Sequence, residues 1–495
     1  MDLSALQPAP VWRHFSNLCR IPRASGQEKA VRDALAAWAR ARGLAAKTDA
    51  AGNLVLGKPA SRGYENRPGV VLQGHLDMVC QKNGGSAHDF ARDPIRPVLR
   101  DGWVTAGDTT LGADNGIGVA LALAALEDEE LAHPALEVLL TVDEESGMHG
   151  ALGLEADAVR GRLLLNLDTE EWGELYIGCA GSVDVIADAA LPVEPPPEGA
   201  RAFTVRLSGL AGGHSGIDIH RGRGNAIVLL ARLLRALAAK GADFRLAALD
   251  GGTAHNALPR EAAATVLLGA GAVPISQALA HLQTHADEFV SDLRGKLPGE
   301  DGKLRIDIAS APPAAVLRHD AARAVLSLLH DLPYGVRSMS EHMPGVVDTS
   351  NNIGELRLDG GCLHINAMVR SLRAPSLRAL SEEIAARFSR AGLDVRTQGD
   401  GPEWTPAPDS RLLALARDVY RETFGGEAKI QVIHAGLECG VFSALWPDME
   451  MISFGPTIHG AHAPGERVEA ASVERAWRLL VGILAGVGDR GSDQI

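Results

Sequence analysis

The chain has 495 residues, of which 46% are hydrophobic and 22% are charged. This length exceeds what one hydrophobic core usually serves, and the composition excludes a disordered chain or a fibrous repeat. With 62 acidic against 48 basic residues, the net charge is −14 at pH 7, so nucleic acid and anionic membrane surfaces are poor partners. We therefore expect two or three globular domains that bind neither nucleic acid nor membrane.

Cysteine usage and the N-terminal sequence indicate the compartment. Five cysteines are scattered along the chain without a Cys-x-x-Cys pair, which argues against a disulfide framework and against a thiolate zinc site. The N-terminal sequence Met1-Asp2-Leu3-Ser4 lacks the basic and apolar regions of a secretory signal. The longest apolar stretches, such as residues 117–126, are much shorter than the ~20 residues of a membrane span. The sequence therefore predicts a soluble cytoplasmic protein.

The first third of the chain alternates helical and strand-like patterns. Residues 27–46 have an amphipathic helical rhythm. Three short apolar runs are typical of buried strands: residues 69–73, 136–142 and 163–167. Asp114 precedes the apolar stretch 117–126 and lies close to the N-cap of a predicted helix. Apolar runs separated by helices predict an α/β fold with a mostly parallel sheet.

The middle third has a different character, and the first pattern returns after it. The later predicted elements are strands at 182–191, 203–207 and 450–454, a proline-rich loop at 192–199, and helices at 225–240 and 471–487. We therefore predict a discontinuous catalytic domain, formed by residues 1–181 and 387–495. An inserted α+β lid domain interrupts it at residues 182–386.

Acidic residues or histidines follow each apolar run of the discontinuous domain. They are His75 and Asp77 after the first run, Asp114 before the helix, Glu144 and Glu145 after the second run, Asp168 after the third, and His459 and His462 after the last. Ligands bind beyond the carboxyl ends of the strands in open parallel sheets, because the loops converge there. We therefore expect these side chains to meet in one crevice.

The local spacing of these residues fits a metal site. On an extended segment, Asp77 can accept a hydrogen bond from the imidazole of His75 and fix its tautomer. Glu144 and Glu145 are adjacent, so on an extended segment one can bind a metal while the other takes a proton. Carboxylates and imidazoles without thiolates suit catalytic zinc or manganese. Each motif alone is common in turns, but so many buried carboxylates would be costly without cations.

Together with several other segments, these motifs resemble the dinuclear-zinc amidohydrolase family of aminoacylases, glutamate-releasing carboxypeptidases and carnosinases. The similar segments are residues 21–26, 73–79, 111–116, 143–145, 212–216, 256–261, 434–440, 455–458 and 461–464. They extend over nearly the whole chain. Taken together, they form a highly specific pattern.

The resemblance implies two divalent metal ions per chain, Zn²⁺ first, with Mn²⁺ or Co²⁺ as alternatives. The implied ligands are His75, Asp114, Glu145, Asp168 and His462. Asp114 would bridge the two ions, one also held by His75 and Asp168, the other by Glu145 and His462. His462 is favoured over His459 because the family's histidine directly precedes a small residue and a proline.

The resemblance also implies catalytic roles. Glu144 would be the general base and acid, and Asp77 would orient His75. The peptide bond after the bridging aspartate, Asp114–Asn115, is expected to be cis. In the implied mechanism a water molecule bridges the two ions, and Glu144 takes its proton and delivers it to the leaving amine.

Substrate contacts are implied mainly in the inserted domain. His214, from its own or a neighbouring subunit, would donate to the tetrahedral oxyanion, and Asn256 would also reach the substrate. Arg370 suits the terminal carboxylate of a dipeptide, because its fork matches two oxygens. The free amino terminus needs an acidic partner, for which Glu438 is our candidate.

The implied activity is metal-dependent hydrolysis of the peptide bond of unblocked dipeptides, with Xaa-His substrates such as β-Ala-His among them. One alternative is an N-acyl amino acid deacylase or carboxypeptidase of the same family. Another is a binding protein that keeps the fold without turnover, which is disfavoured because no ligand or base position is lost. The resemblance further leads us to expect a homodimer formed through the inserted domain.

Overall fold

The structure is a computed structural model that describes residues 3–269, 273–341 and 343–488. Met1 and Asp2 of the N-terminal sequence considered above lie outside the described residues. Within the described part of the chain, no helix combines the length and the hydropathy that crossing a bilayer requires. Its cysteines are all free.

The described residues form helices and strands in alternation. The α-helices are α1 Ala9–Leu18, α2 Lys29–Arg40, α3 Ala113–Glu127, α4 Glu144–Gly147, α5 His149–Leu152, α6 Ala226–Ala239, α7 Ile275–Arg294, α8 His319–Asp331, α9 Ala374–Arg390, α10 Arg411–Phe424, α11 Glu438–Leu445 and α12 Ala470–Gly486. The strands are β1 Ala45–Thr48, β2 Leu54–Lys58, β3 Val70–His75, β4 Val98–Arg100, β5 Trp103–Thr105, β6 Leu136–Thr141, β7 Leu163–Asn166, β8 Glu174–Cys179, β9 Gly181–Ala190, β10 Val193–Glu194, β11 Arg201–Ser208, β12 Phe244–Gly251, β13 Ala262–Leu268, β14 Arg305–Ala311, β15 Val316–Leu317, β16 Gly335–Met339, β17 Val347–Asp359, β18 Cys362–Ser371, β19 Asp394–Gly401, β20 Lys429–Ile433, β21 Glu450–Ser453, β22 Ile458–His459 and β23 Arg467–Glu469.

The chain divides into two compact units. Within the described residues, the first comprises 3–179, 404–432 and 437–488, and the second comprises 180–403 and 433–436. Residues 387–403, which we had predicted in the first domain, therefore belong to the second unit. The reason is that β19 pairs with β9 and α9 packs on both of these strands.

The first unit is built on an eight-stranded sheet with the order β1-β2-β6-β3-β7-β21-β8-β20. The four central strands, β6, β3, β7 and β21, are mutually parallel, whereas the pairings β1–β2, β2–β6 and β21–β8 are antiparallel. Every residue of β3 is buried, which explains its run of apolar side chains. The predicted α/β fold with a mostly parallel sheet is confirmed.

Helix α3 packs against β3 and is buried on almost all sides. Asp114 and Asn115 have non-helical dihedral angles at its start, so the regular helix follows them as predicted. The helix approaches the sheet closely at Gly118, where an added Cβ would lie 2.2 Å from the carbonyl oxygen of Leu167. This close packing fixes the backbone around Asp114 relative to the strand ends.

The second unit is built on a nine-stranded sheet with the order β14-β11-β13-β12-β17-β18-β9-β19, in which β16 also pairs with β17. All of these neighbouring strands run antiparallel. Helices α6, α7, α8 and α9 bury their apolar faces in one core with the sheet. Helix α6 is capped by Asn225, whose side-chain oxygen accepts from the backbone N–H of Val228.

Candidate metal centre

Two segments of the first unit converge on His75 at the end of β3. The ring is buried, and its Nε2 lies 3.0 Å from Asp114 Oδ1 and 3.3 Å from Asp168 Oδ1. Asp114 belongs to the segment that opens α3, and Asp168 follows β7. Strand order and helix packing therefore bring together three residues that are widely separated in sequence.

A second group forms on the other side of Asp114. His462 Nε2 lies 3.1 Å from Asp114 Oδ2 and 3.0 Å from Glu145 Oε2. The two oxygens of the Asp114 carboxylate thus face two different imidazoles. His459 is not part of this group, because its ring packs on Trp103 with 4.9 Å between the centroids. The geometry brings His462 to the carboxylates, as the sequence analysis favoured.

The donor atoms in both groups fit divalent cations. Two ligands at 2.0–2.1 Å from a tetrahedral ion lie about 3.3 Å apart, which matches the 3.0–3.3 Å spacing of these nitrogen and oxygen atoms. Ligand atoms of His75, Asp114 and Glu145 all lie within 4.8 Å of one another. Among the described residues, Glu145 Oε1 is buried without a hydrogen-bond partner, and a cation would satisfy it.

The electrostatics of the cluster also indicate a need for positive charge. Burial, together with the negative charges of Asp114 and Glu145, raises the pKa of Asp168 to about 6. Hydrogen bonds to Asp114 and Glu145 raise the pKa of His462 to about 11. Burial opposes ionisation of Asp114, but the two imidazoles outweigh it and hold its pKa below the ordinary range. Three carboxylates therefore crowd around two imidazoles, an arrangement that bound cations would stabilise.

Glu144 and Glu145 do not lie on an extended segment, so that prediction was wrong. They open the short helix α4, after Asp143 turns the chain with a φ of +57°. The carboxylate of Asp77 accepts hydrogen bonds from the backbone N–H groups of Glu144 and Glu145, each at 3.1 Å. A buried carboxylate that caps the two amides therefore favours a helical turn here.

The two adjacent glutamates nevertheless differ in their surroundings. Glu145 contacts His462, whereas burial raises the pKa of Glu144 well above its ordinary value. The negative charges of Asp168 and Glu438 add to this effect. A carboxyl group that binds a proton readily beside the ligand cluster is suited to proton transfer.

Asp77 is fully buried and has several partners. It accepts a hydrogen bond from Ser25 Oγ at 2.8 Å, and its Oδ1 lies 3.3 Å from His75 Nδ1. Burial alone would raise the pKa of Asp77, but the interactions with His75 and Ser25 lower it to about 2. This group, which is ionised at neutral pH, is placed to orient the His75 ring.

The structure argues against Glu438 as a partner of the substrate's amino group. Its side chain is fully buried at the start of α11. Its Oε2 accepts hydrogen bonds from Gln73 Nε2 at 2.6 Å and Thr141 Oγ1 at 2.8 Å. Burial, opposed by His75 and reinforced by the charge of Asp168, raises its pKa to about 7. We therefore do not retain the predicted substrate contact.

The second unit brings together the three other residues that we expected to contact substrate. His214 forms an isolated β-bridge with Ala257, and the backbone N–H of Ser215 donates to the carbonyl of Asn256 at 2.8 Å. The buried Arg370 places its Nε 3.5 Å from Ser215 Oγ. His214, Asn256 and Arg370 are therefore neighbours around Ser215.

The tautomer of His214 follows from its contacts. Its Nδ1 accepts hydrogen bonds from the backbone N–H groups of Gly216 at 3.1 Å and Ile217 at 3.0 Å. Burial and the positive charge of Arg370 lower the pKa of His214 to about 4. The ring is therefore neutral at pH 7 and carries its proton on Nε2, where it can donate.

Two residues near these clusters had no role in the sequence analysis. Burial, together with the charge of Asp114, raises the pKa of Glu170 to about 8. In the sequence, the only indication that Glu170 lies near the cluster is its position two residues after Asp168. In the second unit, His434 is buried beside Ser350, with 2.8 Å between Nε2 and the hydroxyl oxygen. In the sequence, His434 could have been recognised because it opens segment 434–440, one of the segments that resemble the family.

Comparisons with known proteins identify the family of this chain. The sequence model of the family described as Peptidase family M20/M25/M40 matches residues 71–486. The chain is 41% identical over 484 residues to the cytosol non-specific dipeptidase of Escherichia coli K12, with 98% of each chain covered. It is similar to the crystal structure of an aminoacylhistidine dipeptidase from Vibrio alginolyticus, with 39% identity, a TM-score of 0.88 and 99% of each chain covered. The aminopeptidase PepT from Bacillus cereus shares the fold, with 16% identity and a TM-score of 0.56 over 98% of this chain and 100% of that one.

Proposed function

Because this chain belongs to the peptidase family M20/M25/M40, we propose that it is a metal-dependent dipeptidase that cleaves unblocked dipeptides, Xaa-His among them. The single observation that carries this proposal is the Asp114 carboxylate, whose two oxygens face two separate groups of nitrogen and oxygen donors. The two dipeptidases similar to nearly the whole chain support the choice of substrate class.

The metal-binding residues follow from the two donor groups. His75 and Asp168 would hold one divalent ion, Glu145 and His462 would hold the other, and Asp114 would bridge them. When bound, such a pair lowers the pKa of water and polarises a carbonyl group. Zn²⁺ is our choice for both positions, with Mn²⁺ or Co²⁺ as alternatives, because the donors are imidazoles and carboxylates without thiolates.

The chain's own residues would move the proton and position the substrate. Glu144 takes a proton from the attacking water and delivers it to the leaving amine, and Asp77 keeps His75 in its binding orientation. The Nε2–H of His214, from its own or a neighbouring subunit, donates to the developing oxyanion. Arg370 pairs with the terminal carboxylate of the dipeptide, and Asn256 contacts the substrate as a further polar group.

We further propose a cytoplasmic enzyme that acts on small dipeptides and binds neither nucleic acid nor membrane. The net charge of −14 supports the absence of anionic partners, and the Escherichia coli relative carries the word cytosol in its name. A homodimer formed through the second unit remains part of this proposal.

A substrate panel on metal-replete protein tests the activity. We expect hydrolysis of β-Ala-His and Ala-His, loss of activity after chelation, and recovery when Zn²⁺, Mn²⁺ or Co²⁺ is added back. Tripeptides and N-acetyl amino acids serve as the comparison substrates. Turnover of N-acetyl amino acids without turnover of dipeptides would instead assign the chain to the deacylase alternative.

A further inference from the structure

A single buried carboxylate holds the segment that carries Asp114. Glu466 is 2% exposed and accepts hydrogen bonds from four consecutive backbone N–H groups. Its Oε2 accepts from Leu111 at 2.6 Å and Gly112 at 2.9 Å. Its Oε1 accepts from Ala113 at 2.7 Å and Asp114 at 3.2 Å. Both oxygens are thus committed to the backbone of this segment.

Glu466 lies only four residues after His462 and belongs to the same loop. Its own N–H donates to the carbonyl of Ala463 at 3.1 Å, and its carbonyl accepts from Thr105 Oγ1 at 3.0 Å. The backbone of the loop is therefore fixed on both sides of the carboxylate. Through Glu466, the segment of Asp114 is tied to the loop that carries one imidazole of the metal cluster.

Arg23 holds the same segment from its carbonyl side. Its Nη2 donates to the carbonyl of Gly112 at 2.5 Å, and its Nη1 donates to the carbonyls of Leu76 at 2.9 Å and Asp77 at 2.7 Å. Gly112 has a φ of +69°, and a Cβ there would lie 2.5 Å from the guanidinium. Arg23 therefore ties the segment to the loop that follows His75.

We propose that Glu466 and Arg23 are positioning residues that hold the Asp114 carboxylate between the two metal positions. Together they join three loops, whose ligands are His75, Asp114 and His462. This inference rests on the proposed two-metal function, and neither residue needs to touch the substrate. Partners behind metal ligands fix ligand orientation, and losing one typically costs about 10–100-fold in metal affinity or activity.

A glutamine at position 466 tests this arrangement sharply. An amide has one acceptor oxygen, so in either orientation its NH₂ group faces two backbone N–H donors. Glu137 offers a matched control at the start of β6, because it also accepts from two backbone N–H groups, those of Arg160 and Gly161. Both reach the same oxygen, Oε2, each at 2.7 Å, so a glutamine can satisfy both.

The experiment measures metal content per chain by elemental analysis and metal affinity by competition with a chelator, for wild type, E466Q and E137Q. Apo-protein unfolding midpoints and the separate values of kcat and KM accompany these measurements. We expect E466Q to bind at least one metal ion about 10–100-fold more weakly, while E137Q matches wild type. The apo form of E466Q should remain folded.

The outcomes separate this inference from the proposed function. Wild-type metal affinity and stoichiometry in E466Q would overturn it, even with a lower unfolding midpoint, because the role would then be structural only. If E466Q does not fold, the R23K variant tests the inference instead. A lysine carries a single ammonium group, which cannot reach the three carbonyls that the guanidinium group of Arg23 contacts. Weakened metal binding in R23K supports the inference and unchanged binding refutes it. A wild-type protein that binds no metal would refute the two-metal proposal itself.

Discussion

Each unit of this protein holds a cluster of titratable side chains, but their charges are balanced in opposite ways. In the first unit, pKa values of about 6 for Asp168 and about 11 for His462 reflect carboxylates that crowd around two imidazoles. In the second unit, burial and the charge of Arg370 lower the pKa of His214 to about 4 and that of His434 to about 3.

This difference in charge balance indicates which kind of group each cluster can bind. The first cluster has more negative charge than its own residues neutralise, so bound cations would stabilise it. In the second cluster, burial and the positive charge of Arg370 keep both imidazoles neutral, and His214 retains its Nε2–H as a hydrogen-bond donor. The first cluster therefore suits cations, and the second suits anionic or polar groups.

The largest expected effect distinguishes proton transfer from metal binding within the first cluster. In E144Q the amide cannot take a proton, so kcat should fall by about 10²–10⁴-fold while the metal content stays at the wild-type value. Steady-state kinetics and elemental analysis measure the two quantities. Unchanged turnover would refute the role of Glu144, and E137Q serves as a glutamate-to-glutamine control away from the cluster.

A smaller effect is expected from the neutral donor of the second cluster. H214A should lower kcat by about 10²–10³-fold, because a donor to the developing oxyanion is lost, with little change in KM or metal content. The exposed His220, on the same segment, provides the control variant H220A. A rise in KM at constant kcat would show that His214 binds the ground state instead, and the proposed role would be wrong.

The smallest effect concerns stability and comes from His434. Its folded pKa is about 3 against an ordinary 6.5, so between these pH values the unfolded chain binds a proton that the folded chain does not. Above pH 6.5, His434 therefore does not lower the free energy of unfolding. As the pH falls from 6.5 towards 3, it lowers the free energy of unfolding by about 1.4 kcal/mol per pH unit.

Urea unfolding of H434Q at a series of pH values between 6.5 and about 4 measures this contribution. The variant should lose part of the acid sensitivity that wild type shows. Wild type, unfolded in the same pH series, serves as the reference. An identical slope in H434Q and wild type would mean that His434 is not buried in its neutral form.

The four central strands of the sheet in the first unit could be predicted because they are mostly buried on both faces. The runs at 69–73, 136–142 and 163–167 coincide with β3, β6 and β7 to within one or two residues. The boundary at residue 386 was wrong because an amphipathic helix such as α9 has the same pattern whichever sheet it covers. Only the pairing of β19 with β9 assigns this part of the chain to the second unit.

The side chains that meet around Asp114 could be predicted from the sequence, but the surroundings of other acidic side chains could not. Glu438 and Glu466 are both glutamates in loop-like sequence, and both are buried. The first bonds to Gln73 and Thr141, and the second accepts four backbone N–H groups. Sequence does not reveal which groups face a carboxylate oxygen, since they come from residues hundreds of positions away.

The position of β21 between β7 and β8 has a consequence for how the protein matures on the ribosome. Until Glu450–Ser453 has been synthesised, the nascent chain exposes two unpaired strand edges, which are prone to association with other chains. The same final stretch of translation delivers His462. A message truncated before codon 450 would therefore yield a product that lacks both a central strand and a proposed metal ligand, so we expect no partly active fragment.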